Sequence, residues 1–204
     1  MRVRQVGAAA VLLELADLDE TRAWYAELLR RRDAGELAAL DLVPAARTVL
    51  VDGVDPDAAT RLLRSWPAPG PDAPAGGDPV TVPVRMDGPD LDEVARRWGV
   101  GPDQVGAELA SWPLVVGFCG FVPGFAYLVG VPTSRQVPRR RSPRPRVPAG
   151  SVGLAGPYCG VYPRESPGGW ALVGSTDLEL VDLGRDPPGL LAPGTRVRFT
   201  MDRP

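Results

Sequence analysis

Glycine and proline, 24 of each in 204 residues, constrain this chain more than any other feature. Proline has no amide hydrogen for a helix or a sheet ladder, and glycine weakens both. That excess argues against a mostly helical fold and for short strands joined by many turns. The length suits one medium domain or two small ones. With 44% apolar and 24% charged residues the composition is that of a globular chain.

The missing residue types narrow the chemistry. There is no His, and none of the 23 cations is Lys, so all are Arg. Without Lys there is no phosphate-loop lysine and no Schiff base. Without His there is no Ser-His or Cys-His dyad and no imidazole metal site, and no metal is expected. Catalysis would have to run on carboxylates, hydroxyls, thiols, backbone amides and Arg, or on groups from another chain. A net charge of −2 offers nothing global to nucleic acid or to a membrane surface. Cys119 and Cys159 are too few for a disulfide scaffold or zinc, and their apolar surroundings would raise their pKa values. No cleavable leader pattern is evident, so a cytoplasmic location is expected. The uncharged stretch 109–134 is long enough to span a bilayer, yet it is broken by Pro113, Gly117, Gly120, Pro123, Gly124, Gly130 and Pro132, so buried strands are expected instead.

The pattern predicts two domains. Residues 1–66 read as a small α+β domain in the order β-α-β-β-α. An apolar strand runs from Val6 to Leu15. A helix capped by Asp17 or Asp19 carries Trp24, Tyr25 and Leu28 and stops at Gly35. Strands on either side of Pro44 follow, then a helix opened by Asp55-Pro56. Residues 67–78 contain only Pro, Ala, Gly and Asp and read as a linker. Residues 79–204 read as a mainly β domain. It opens with a strand from Val80 to Met86 and a helix with an Asp90–Glu93 capping box and Gly99 as stop. A second short helix begins at Gly101-Pro102, and a last strand from Thr195 to Met201 alternates Val197 and Phe199 with Arg196 and Arg198.

Three stretches could carry chemistry. Residues 135–146, RQVPRRRSPRPR, hold six arginines and no acid. Held extended by prolines, they would attract carboxylate or phosphate; the plain alternative is a solvated loop. Residues 147–170 interleave glycines with Ser151, Ser166 and Tyr162, where consecutive amides can form an oxyanion hole. Gly120–Leu128, GFVPGFAYL, sets Phe121, Phe125 and Tyr127 around a Pro-Gly turn. A serine nucleophile would need a base; Glu165, Asp177 and Glu179 are available, and no spacing selects one.

GFVPGFAYL, VPRRRSPRPRVPAGSVGLAG and VYPRESPGGWALVGST, in this order, resemble the signature of the allophanate hydrolase subunit 1 family. That family includes the B-type subunit of 5-oxoprolinase and KipI-like proteins. The resemblance implies a cyclophilin-like β-barrel after the small α+β domain. It implies a subunit 2 partner (the C-type subunit of the 5-oxoprolinase), with a LamB/YcsF-like third subunit in the 5-oxoprolinase. The activity implied is ATP-driven opening of 5-oxoproline to glutamate. ATP would be used by the complex rather than held by a phosphate loop in this chain. Arg139, Arg140 and Arg144 would then bind the substrate carboxylate or a phosphorylated intermediate, with Tyr127, Tyr158 and Gly168 beside them. Ser151 and Ser166 would serve catalysis by polarising the amide. A KipI-like inhibitor of a sensor histidine kinase, or a non-catalytic structural subunit, are the alternatives. The chain departs from the family pattern at Leu109, where a His is usual, at Tyr158-Cys159, where Gln-Thr is usual, and at Ser175, where an Arg is usual.

Overall fold

The computed structural model describes residues 1–70 and 78–202; the 71–77 part of the expected linker lies outside the described residues. The chain divides into two compact units, Met1–Ala73 and Pro74–Pro204.

The first unit contains β1 (Arg2–Val6), β2 (Ala10–Glu14), α1 (Leu18–Asp33), β3 (Asp41–Pro44), β4 (Thr48–Asp52) and α2 (Pro56–Ser65). Its sheet has the antiparallel order β1-β2-β4-β3. Alternation places Val49 and Val51 of β4 and Leu13 of β2 on the buried face, where they meet Trp24, Leu28 and Leu63 from the helices. Asp17 caps α1 by accepting from the Glu20 amide at 2.9 Å, and Asp55 caps α2 by accepting from Ala58 at 2.7 Å. The expected order β-α-β-β-α is corrected to β-β-α-β-β-α. The apolar run from Val6 to Leu15 is not one strand: it turns at Gly7 and pairs back on Arg2–Val6. That edge strand, RVRQV, is almost wholly solvent-facing, so it lacks the apolar alternation that marks a half-buried strand.

The second unit contains β5 (Val80–Val84), α3 (Leu91–Trp98), α4 (Pro102–Ser111), β6 (Leu114–Cys119), β7 (Ala126–Val129), β8 (Arg144–Val147), β9 (Ser151–Ala155), β10 (Tyr158–Val161), β11 (Ser166–Gly168), β12 (Ala171–Ser175) and β13 (Arg196–Met201). Seven strands form one sheet in the order β12-β9-β10-β7-β6-β13-β5, antiparallel except for the β13–β5 pair. The two edges meet where Arg85, just past β5, exchanges backbone hydrogen bonds of 2.8 and 2.9 Å with Ser175 at the end of β12. The sheet is thereby nearly closed into a barrel, which leaves little open edge. Two glycines permit that closure. A Cβ on Gly174 would lie 2.4 Å from the Arg85 carbonyl oxygen, and one on Gly88 would lie 2.4 Å from that of Leu172. Val84, Leu109, Leu128, Leu154, Val173 and Phe199 fill the interior. β8 and β11 form a separate two-stranded ribbon.

The uncharged stretch 109–134 becomes the end of α4, β6, a turn and β7. Among the described residues no helix is long and apolar enough to cross a membrane.

Candidate functional site

An aromatic cluster is built where β7, β9 and β10 face the β8–β11 ribbon. Phe125 is its centre. Tyr127, Tyr162, Trp170 and Phe121 all stand edge-on to it, with ring centroids 5.1 to 5.6 Å apart. Glycines make the room: a Cβ on Gly153 would lie 3.1 Å from Trp170 Cβ, and one on Gly160 would lie 3.1 Å from Phe125 Cζ. Tyr127 stacks on Phe118 at 4.4 Å, and Tyr158 stands edge-on to both.

Above these rings lies a cavity of about 540 Å³. Its floor and walls are Phe125, Tyr127, Tyr158, Tyr162 and Trp170, and Gly168 at the end of the ribbon and Gly169 after it close one side. Of the described residues on its lining, Arg139 is the one that carries a charge. Among the described residues Arg139 makes no ion pair, so its guanidinium is available to a ligand. Burial pushes the Tyr127 phenol up, with Arg139 pulling the other way, and burial alone pushes Tyr158 up. Both therefore remain protonated near neutral pH and can donate a hydrogen bond. Phe121 at the rim has φ 72 and is 57% exposed. A bulky residue in the left-handed region stores strain, and such strain clusters at functional sites.

The neighbouring arginines do different work. Asp90, 5% exposed, accepts from Arg140 at 2.9 Å, from Arg144 at 2.7 Å and from the Leu172 amide at 2.7 Å. Burial pushes this carboxyl up, but the Arg144 hydrogen bond, the Leu172 amide and the two guanidinium charges outweigh it and hold it below the usual range. The expected Asp90–Glu93 capping box is corrected accordingly: the Asp90 side chain makes no cap bond to α3. The two guanidinium charges offer a stronger partner than a helix amide. Arg135 is also structural, donating to the Trp98 carbonyl oxygen and to Glu108. Arg146 pairs with Glu165 at the surface.

Of the residues expected in the site, the structure therefore brings Arg139, Tyr127, Tyr158 and Gly168 together around one cavity. Arg140 and Arg144 sit behind it, on Asp90. Ser151 is a buried residue at the start of β9, opposite Ser175, and is not on the cavity lining. Ser166 is one residue from the wall residue Pro167 and directs its hydroxyl to the Arg164 carbonyl oxygen at 3.5 Å. The three departures separate in space. Tyr158 lines the cavity; Leu109 and Cys159 are fully buried in the barrel. Ser175 lies at the barrel seam, donating to Asp87 at 2.8 Å. Burial pushes the Cys119 and Cys159 thiols up to about 11 and about 12, so neither is a ready nucleophile. Among the described residues no group of metal-ligating side chains gathers.

Sequence reasoning did not place Trp170 or Asp90 in the site. The signal for Trp170 was the glycine spacing, since Gly153 and Gly160 clear the surface on which its ring lies.

Comparison with known proteins places this geometry among relatives. The model of the carboxyltransferase domain, subdomain C and D, matches residues 1–191. The B-type subunit of a 5-oxoprolinase from Escherichia coli O157:H7 is 39% identical over 206 aligned residues, 95% of this chain and 93% of the relative. Its counterpart from Bacillus subtilis (strain 168), also a 5-oxoprolinase B-type subunit, is 46% identical over 112 residues, 55% of this chain and 47% of the relative. The crystal structure of TTHA0988 superposes with a TM-score of 0.78 at 34% identity; it is matched by 100% of this chain, which spans 40% of that one.

Proposed function

The chain belongs to the carboxyltransferase domain family, subdomain C and D, and from that premise we propose that it is the B-type subunit of an ATP-dependent amidohydrolase of the 5-oxoprolinase type. Its barrel is of the cyclophilin-like kind, and its substrate is a small cyclic amide bearing a carboxylate. The observation that carries this reading is the unpaired guanidinium of Arg139 on the lining of an otherwise aromatic and glycine-walled cavity.

Each part of the cavity suits one part of such a substrate. A five-membered lactam is flat and largely apolar, and it packs against Phe125 and Trp170. Its carboxylate takes the Arg139 fork, which offers two parallel donors. Opening the ring adds water across the amide C–N bond, and negative charge grows on the carbonyl oxygen as the nucleophile attacks. The protonated Tyr127 and Tyr158 hydroxyls are the donors on hand for that oxygen. Their raised pKa values keep them as donors and make them poor general bases. With neither His nor Lys in the chain, the proton acceptor comes from a carboxylate or from a partner chain.

The activity is therefore shared. A subunit 2 homologue of the C type and a LamB/YcsF-like subunit complete the enzyme, and ATP hydrolysis drives the reaction in the assembly. The test is glutamate formation from 5-oxoproline and ATP by the chain purified with homologues of both partners. Activity is expected from the mixture and from no single component. A mixture that hydrolyses no 5-oxoproline overturns the reading.

A further inference from the structure

A second cavity of about 230 Å³ lies on the other side of the Pro138–Arg139 segment. It shares those two lining residues, and no others, with the aromatic cavity. Arg97 of α3 and Arg139, Arg140 and Arg141 of the proline-held segment line it, against the acids Asp90 and Glu93. The Asp90 charge is neutralised within the wall by Arg140, Arg144 and the Leu172 amide. Glu93 is exposed on α3, one turn before Arg97. Among the described residues Arg97, Arg139 and Arg141 form no ion pair. Three guanidinium groups without ion-pair partners are thus gathered at one concavity, where Asp90 is already neutralised and Glu93 is the one acid left to offset them.

We propose that this cavity is a phosphoryl-binding site. A flat carboxylate is satisfied by one guanidinium fork, whereas a tetrahedral dianion presents several oxygens in different directions and takes several forks at once. Pro138 sets the path of the segment, so less freedom is lost when the arginines close on an anion. The site needs no phosphate loop and no lysine, which this chain lacks. Arg139, common to both cavities, sets a bound phosphoryl group beside whatever occupies the aromatic cavity. The cationic cavity stands without the 5-oxoprolinase reading.

The test is isothermal titration of the full chain, at low ionic strength, with inorganic phosphate, with acetyl phosphate and with a non-hydrolysable ATP analogue. Saturable binding is expected, weakening as salt is raised. Arg97→Ala and Arg141→Ala should each lower affinity about tenfold, the loss of one charge-assisted contact. Arg97→Lys, which keeps the charge and loses the fork, should bind more weakly than the wild type and more tightly than Arg97→Ala. Both arginines are exposed, so thermal melting of the alanine variants should match that of the wild type. Tightest binding of the ATP analogue would assign the site to a nucleotide's terminal phosphate. Tightest binding of acetyl phosphate would assign it to an acyl phosphate, and tightest binding of phosphate to the free ion; each supports the site. Absence of saturable binding with all three, or affinity unchanged in both alanine variants, overturns it. Failure to bind 5-oxoproline would overturn only the amide reading, because neither Arg97 nor Arg141 lines the aromatic cavity.

Discussion

Arg144 donates from Nη2 to Oδ1 of Asp90 at 2.7 Å, across 54 positions of sequence. With Arg140 on the same oxygen, this contact ties the arginine-rich segment to the start of α3 and leaves Arg139 facing the aromatic cavity. Asp90→Asn removes the charge while keeping the shape. Two partly solvated arginines then lose their counterion, and a loss of about 2–3 kcal/mol in unfolding free energy is expected in urea denaturation at pH 7.

The pH dependence of that loss follows from the sign of the Asp90 shift. Its carboxyl titrates lower in the folded chain than in the unfolded one, so its contribution is complete above the unfolded value of about 3.9 and disappears as pH falls through the folded value. The stability gap between wild type and Asp90→Asn should be constant from pH 7 to pH 5 and shrink below about pH 4. Urea melts at stepped pH give this curve; a gap that widens on acidification would contradict the assignment.

Gly168→Ala tests the packing of the cavity wall. The added Cβ would lie 2.3 Å from the Tyr162 hydroxyl oxygen and 2.9 Å from its Cζ, and Tyr162 is 1% exposed. Overpacking of this kind costs about 1–3 kcal/mol, so a lower melting temperature is expected together with weaker amide binding.

Phe121 separates strain from contact. Phe121→Gly should be more stable than Phe121→Ala by about 1 kcal/mol, because only glycine relaxes the left-handed backbone at φ 72. Both variants lose the rim ring, so both should bind the amide equally less well than the wild type. Thermal melts and ligand titration read the two effects apart.

The thiols should be inert. With Cys159 fully buried and both pKa values far above neutrality, iodoacetamide at pH 7.5 should label neither cysteine rapidly in the native chain and both in denaturant. Mass spectrometry of the quenched reaction counts the adducts.

Local signals in the sequence were readable where the structure uses them locally. Asp55 caps and Pro56 opens α2, Pro102 opens α4, and Val197 and Phe199 alternate inward on β13, all within a few residues of the signals that predicted them. β1 was not readable, because an edge strand exposed at every residue but the half-buried Val3 carries no burial pattern. The site was half readable. Composition marked the arginine segment and the glycine-rich turns, but three consecutive arginines look alike in sequence. What separates Arg139 from Arg140 is a partner, Asp90, that lies 50 positions from Arg140 and reads locally as a helix cap. Barrel closure between Arg85 and Ser175 is likewise a contact across 90 positions, which no window along the chain can register.

Central to the proposed amide hydrolysis is the pairing of Arg139 with the aromatic cavity as a seat for an anionic amide. Equilibrium calorimetric titration of the chain with 5-oxoproline and with its uncharged parent lactam tests it most directly. Saturable 5-oxoproline binding is expected, at least about tenfold tighter than the lactam, with that preference abolished in Arg139→Ala. Equal affinity for the two ligands in the wild type, or an Arg139→Ala variant that still prefers the anion, would contradict it.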